Sequence, residues 1–190
     1  MRVIIKLYIA QQAQVSWSGC LSGYFPILNG VRQGGVLSPL LYCVYIDQLL
    51  VRLSQSGSGC FIGRNFVGAL AYADDIVLVC PTASAMRKLL SICDAFAGEY
   101  DMKFNALKSK LLVCLPRSCH NHRPIANDVT SCQYFIGGNV VECVDSFLHL
   151  GHVITSSLND KDDISHRRNC FINQVNNVHA VLLQQTVWLC

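Results

Sequence analysis

The first 46 residues of this 190-residue chain contain neither aspartate nor glutamate. No carboxylate chemistry can be built from that stretch, because the first acid is Asp47. Charge is scarce throughout: 14% of residues are charged against 52% hydrophobic, which excludes a disordered chain. The net charge of +3 is too small to point to nucleic acid by itself. The longest predominantly apolar stretch, Val36 to Ile46, is too short for a membrane span and leads into Asp47. The N-terminal "MRVIIKLYIAQQAQVSWSG" has a short apolar run without a small-residue cleavage motif, so no signal peptide is expected. The 11 cysteines include no CxxC pair, and their count is odd. Several stand in apolar runs, where cysteine acts as a small hydrophobe. Reduced thiols in the nucleus or cytoplasm are therefore expected, rather than a secreted disulfide framework.

What is present reads as an α+β mixture. "GYFPILNGVRQGG" is a strand-and-turn segment punctuated by Pro26, Gly30, Gly34 and Gly35. Apolar residues at three- and four-residue steps predict a helix over Leu37–Leu53, largely buried, with Ser38 capping and Pro39 in the first turn. Cys60–Ile62, Phe66–Tyr72 and Ile76–Cys80 read as strands. Met86, Leu89, Leu90, Cys93, Phe96, Ala97 and Tyr100 form the apolar stripe of a helix over Ser84–Tyr100. A short strand is expected near Leu111–Leu115, then a polar loop over 116–131. A hairpin turning at Gly137-Gly138 follows, with "FLHLGHVIT" as one further strand and a last helix from about Asp162.

The tight turn between Phe66–Tyr72 and Ile76–Cys80 carries Asp74 and Asp75 side by side. Two unit charges about 4 Å apart repel by roughly 4 kcal/mol at an effective dielectric of 20. Such a pair is either a solvated turn or part of a metal site. Magnesium takes oxygen ligands, and carboxylates on a rigid hairpin supply them with little reorganisation. Two adjacent aspartates alone are weak evidence. The string Tyr72-Ala73-Asp74-Asp75 in a hairpin, after a glycine-rich turn and an apolar helix, is stronger.

Four stretches, "GVRQGGVLSPLLYCVYIDQLL", "LAYADDIVLVCPT", "ICDAFAGEYDMKFNALKSKLLV" and "FLHLGHVIT", stand in the order of the reverse transcriptase motifs lettered B, C, D and E. The wording "GVRQGGVLSP" resembles the non-LTR (LINE-type) retrotransposon branch, particularly the CR1- and jockey-like elements, over about residues 20–178. The resemblance implies a partial polymerase palm, an antiparallel sheet with two packed helices, over 1–115. It further implies a loop over 116–131, a hairpin and primer-grip-like strand over 132–158, and the start of a helical thumb over 159–190.

The implied activity is RNA-directed DNA polymerisation by two-metal nucleotidyl transfer, with Mg²⁺, or Mn²⁺ in its place, on Asp74 and Asp75. RNA template, DNA primer and dNTP are the implied partners, and no membrane. Arg32, Gln33, Gly34, Gly35, Ser38, Tyr72, Ala73 and Asn105 would line template and nucleotide. Lys108 matches the lysine proposed in the family to protonate pyrophosphate, or it neutralises charge there. Leu148, His149, Leu150 and Gly151 match the primer grip, with His149 where the family usually has tyrosine. Arg167 and Arg168 fall where the thumb meets duplex backbone.

The family's third carboxylate, in motif A, lies upstream of motif B. The acid-free stretch before Asp47 offers no counterpart, so a chain that begins after motif A, inactive by itself, is expected. A remnant that binds nucleic acid or a partner without turnover is the alternative. Cys114, Cys119, His120 and His122 in "CLPRSCHNH", with Cys132 near, raise a zinc-binding structural domain, but C-x4-C-H-x-H is not a standard finger spacing.

Overall fold

The computed structural model describes residues 5, 8–9, 11–32, 34–114 and 133–185, and side chains as far as Leu182. Gln33, Leu115, the loop 116–131 and the cluster members Cys119, His120, His122 and Cys132 lie outside the described residues. The architecture is mixed α and β, as expected, with the strands in two-stranded pairs among the described residues. Two compact units divide the described residues: Met1–Pro81 with Ala95–Met102, and Thr82–Asp94 with Lys103–Cys190.

The first unit opens with two small antiparallel pairs. β1 (Gln12–Ala13) pairs with β4 (Phe25–Pro26), and β2 (Ser16–Trp17) pairs with β3 (Cys20–Leu21) inside that loop. Helix α1 (Ser38–Gln55) follows. Its start differs from the expectation: the capping position is Leu37, with no side-chain cap, and the Ser38 hydroxyl instead donates to the Arg32 carbonyl. A hydroxyl so engaged is no longer offered to the helix's own N–H groups. Nor is α1 largely buried. Ile46, Leu49 and Leu53 are enclosed, while Leu37, Leu40, Val44 and Val51 are exposed along one stripe. A run apolar on every face does not reveal which face finds a partner.

The segment expected as one strand, Phe66–Tyr72, is broken. β5 (Phe61–Ile62) and β6 (Asn65–Phe66) form one hairpin, and β7 (Ala69–Tyr72) and β8 (Asp75–Leu78) form the next. The break falls at Gly68, where an added Cβ would lie 2.5 Å from the Phe66 ring and 2.9 Å from the Cys60 nitrogen. Only glycine lets the ring and the backbone close over that point.

Helix α2 (Ala83–Glu99) buries Leu89, Cys93 and Phe96, as its stripe predicts. Thr82 caps it, its hydroxyl accepting from the Ala85 N–H at 3.2 Å. Burial, with a smaller push from Asp94, raises the Cys93 thiol to about 12, so it packs as a hydrophobe. In the first unit, Phe96 lies against Tyr100 (ring centroids 4.4 Å apart) and Tyr45 (6.1 Å), with the Arg52 guanidinium 5.3 Å from its ring. Arg52 also forks onto Glu99 through two hydrogen bonds of 2.6 and 3.0 Å.

In the second unit, β9 (Lys110–Leu112) pairs with β12 (Glu142–Val144) in parallel, where an antiparallel sheet was expected. Lys110 and Glu142 form an ion pair across it. β10 (Phe135–Ile136) and β11 (Asn139–Val140) form the expected hairpin at Gly137-Gly138. The Asp94 carboxylate holds its turn, accepting from the Gly137 N–H at 2.7 Å. "FLHLGHVIT" is not one strand but a hairpin of β13 (Ser146–His149) and β14 (His152–Thr155). Leu150 and Gly151 turn it, both with positive φ (50° and 78°), the signature of a type I′ turn. Helix α3 (Lys161–Gln185) closes the described chain and packs on β14.

Candidate functional site

The carboxylate pair stands on the β7–β8 hairpin of the first unit. Its register runs from Ala69↔Leu78 to Tyr72↔Asp75, leaving Ala73 and Asp74 as a two-residue turn. Asp74 therefore sits in the turn, and Asp75 opens β8 opposite Tyr72. Both carboxylates are exposed. Ala73 takes φ +52°, a region that a residue with a Cβ seldom enters. The small side chain keeps the turn tight and leaves the two carboxylates uncovered.

β7 packs beside α1, and the field of the pair reaches that helix. The Tyr42 phenol is held above its ordinary range, by burial first and then by Asp74, Cys43 and Asp75. Sequence reasoning missed Tyr42 as a neighbour of the pair. Its place in the first turns of an apolar helix gives no signal of what lies across from it.

Two carboxylates suit a hard divalent cation in kind. They fall short in number: among the described residues no group of three or more His, Cys, Asp or Glu side chains is arranged to hold a metal ion.

The glycine-rich loop before α1 is organised by its own backbone. The Gly35 N–H donates to the Arg32 carbonyl at 3.1 Å and the Ser38 N–H to the Gly35 carbonyl at 3.0 Å. Ser38 is buried, and Tyr8 approaches its hydroxyl at 3.5 Å. Ser38 thus ties down the loop that carries the exposed Arg32. A Cβ on Gly35 would fall 2.6 Å from the Ser38 Oγ and 3.2 Å from the Arg32 carbonyl. Gly34 needs glycine for a different reason, its φ of +76°. Gly35→Ala should destabilise the chain by about 1–3 kcal/mol through this overlap. Adding Ser38→Ala should cost less than the two single losses summed, because it removes the obstructing atom. Urea midpoints of the four proteins check this, and strict additivity refutes it.

In the second unit, Asn105 heads a turn. Its Oδ1 accepts from the Lys108 N–H at 3.2 Å, and its carbonyl accepts from the N–H groups of Lys108 (3.1 Å) and Ser109 (2.9 Å). Lys108 is presented on that turn, exposed. Nearby Lys110 is engaged by Glu142.

On the β13–β14 hairpin, Leu148 and Leu150 are exposed, and His149 pairs directly with His152 across the strands. The Phe147 and His149 rings share one face, their centroids 6.5 Å apart. Asp163 of α3 fastens the hairpin at two points. Its Oδ1 accepts from the Val153 N–H at 2.8 Å, and its Oδ2 bonds the His152 Nδ1 at 3.0 Å. These bonds, the one to His152 foremost, hold the Asp163 carboxyl below its ordinary range. Arg167 reaches the other ring nitrogen, Nε2, at 3.0 Å. Gly151, which the turn holds at φ +78°, was the one available signal for this hairpin.

The family described as "Reverse transcriptase (RNA-dependent DNA polymerase)" matches residues 1–154. The chain belongs to the reverse transcriptase family. Its relatives place it with the non-LTR retrotransposon enzymes. It is 37% identical over 92 residues to the "Retrovirus-related Pol polyprotein from type-1 retrotransposable element R2" of Nasonia vitripennis, covering 48% of this chain and 8% of that protein. It is 37% identical over 90 residues to the type-2 element R2DM polyprotein of Drosophila melanogaster, covering 47% and 8%. Over 188 residues it is 22% identical to the "RNA-directed DNA polymerase from mobile element jockey" of Drosophila funebris, covering 95% of this chain and 19% of that protein. This reverse transcriptase chain thus spans a small part of the curated relatives it matches. Among its described residues no helix is long and apolar enough to cross a membrane.

Proposed function

We propose that this chain supplies the carboxylate-bearing palm segment, the primer grip and the first thumb helix of an RNA-directed DNA polymerase that copies RNA from a DNA primer. The observation that carries this reading is the Asp74–Asp75 hairpin, with its tight Ala73 turn beside α1. Asp74 and Asp75 would contribute two of the oxygen-bearing side chains that hold Mg²⁺, or Mn²⁺, and the ion when bound would supply activation of the primer 3′ hydroxyl and stabilisation of the leaving pyrophosphate. Ala73 and Tyr72 leave room for the primer end. Arg32, on the loop tied down by Ser38, reaches nucleotide phosphate or template, and Gly34 and Gly35 allow close backbone approach. Lys108, held by the Asn105 turn, gives a proton to pyrophosphate or balances its charge. Leu148, His149, Leu150 and Gly151 form the primer-grip tip. Domain limits follow the motifs: palm over 1–115, loop over 116–131, primer-grip hairpin over 132–158 and thumb helix from 159.

The 190 residues by themselves should not polymerise, because they bring two carboxylates where the family uses three. Primer extension on a homopolymer RNA template with Mg²⁺ or Mn²⁺ tests this. No dNTP incorporation above background is expected. Robust incorporation abolished by Asp74→Asn would overturn the predicted inactivity.

A further inference from the structure

Between the β13–β14 hairpin and α3, one imidazole is bonded on both sides by partners of opposite character. A guanidinium only donates hydrogen bonds, so the contact of Arg167 with the His152 Nε2 requires a lone pair on that nitrogen. The ring proton must then lie on Nδ1, donated to the Asp163 Oδ2. Asp163 carries a second bond from the Val153 N–H, so its carboxylate is fixed whichever form the ring takes. Among the described residues, the titratable and charged groups facing His152 are Asp163 and Arg167 from α3 and His149 from the opposite strand. His166, on the same helix, is turned to the Cys170 thiol at 3.6 Å.

We propose that His152 is a proton-operated catch for Arg167: the neutral ring holds the guanidinium against the hairpin, and the protonated ring releases it to bind phosphate. Protonating Nε2 removes the acceptor and sets a donor and a positive charge against the guanidinium. The hairpin stays on the helix, since both bonds to Asp163 survive and the one to His152 gains charge. Only Arg167 lets go. His152 and Arg167 are both solvent-accessible, so proton exchange and side-chain release need no opening of the core. That the released guanidinium meets phosphate, of RNA or the primer duplex, rests on the reading under Proposed function. The catch itself does not.

Two measurements on the 190-residue chain test this. In nitrogen-15 spectra at about pH 8, above the ordinary histidine range, the His152 Nδ1 should carry the proton, and Arg167→Gln should shift the Nε2 resonance. A proton on Nε2, or a resonance indifferent to Arg167→Gln, overturns the catch. In salt titrations of binding to homopolymer RNA, Arg167→Gln should lower the log–log slope by about one at about pH 5.5, and by far less at about pH 8. His152→Gln should abolish that pH difference. An equal effect of Arg167→Gln at both pH values, or none at either, overturns it. If the chain binds no RNA at either pH, the nucleic-acid reading fails, and the ring nitrogens alone decide the catch.

Discussion

Asp74→Asn, made in a polymerase that contains these residues together with an upstream acidic strand, should lower the rate of dNTP incorporation at least about 10²–10³-fold. Asp75→Asn should do the same. An amide offers one neutral oxygen where the carboxylate offers two charged ones, so it holds a divalent cation poorly and no longer offsets its charge. The fold has little reason to change. Asp74 lies in a two-residue turn and Asp75 at the strand end, both exposed, and their mutual repulsion falls when one is neutralised. Primer–template affinity should be retained, because removing a negative charge does not weaken binding to a polyanion. The loss should therefore fall on kcat and not on the dissociation constant of the duplex. Single-turnover primer extension beside filter binding separates the two. A variant that keeps more than about a tenth of the rate, or that loses duplex binding in proportion, would remove the hairpin from the chemistry.

Phe96→Ala should destabilise the chain by about 3–5 kcal/mol, the range for emptying a buried aromatic site. Phe96 is fully enclosed, with Tyr45 and Tyr100 on its faces and the Arg52 guanidinium above it. Collapse around the vacancy is limited. Tyr45 is tied by its hydroxyl to the Tyr100 carbonyl at 3.1 Å, and Tyr100 bonds Gln48. Asn29 in turn donates to the Asp101 carbonyl at 2.8 Å and the Tyr100 carbonyl at 3.3 Å. Rings fixed at their rims cannot fold inward to fill the space, so the cavity remains. Arg52→Ala offers the contrast. It removes a forked ion pair with Glu99, but both groups are solvated, and exposed pairs contribute little. Urea unfolding followed by circular dichroism should show a large drop in midpoint for Phe96→Ala and a small one for Arg52→Ala. Comparable shifts would mean that the aromatic cluster is not what holds α1 to the end of α2.

The sequence made some of this visible and hid the rest, for physical reasons. The α2 stripe was readable because Leu89, Cys93 and Phe96 recur at helical spacing among polar residues, so the buried face is the apolar one. The carboxylate hairpin was readable because two apolar runs flank a charged turn. In α1 the same method failed: with apolar residues on nearly every face, nothing in the sequence distinguishes enclosed Leu49 from exposed Val44. "FLHLGHVIT" was misread because its turn, Leu150-Gly151, is not one of the Asn-Gly, Asp-Gly or Gly-Gly pairs that mark a two-residue hairpin turn. The roles of Ser38 and Asp163 depend on bonds to Arg32, His152 and Val153, and such partners are chosen by the folded backbone.

The parallel pairing of β9 with β12 sets an order of events on the ribosome. Lys110–Leu112 emerges well before Glu142–Val144, and a parallel partner cannot be reached by a tight turn. Until residue 144 has left the exit tunnel, β9 lacks β12, its strand partner among the described residues, and its apolar Leu111 and Leu112 are open to other chains. The carboxylate hairpin at Asp74 has no such delay, since its two strands are separated by only two residues. The second unit therefore completes late, and the interval between the two strands is when the nascent chain is most exposed to misassembly.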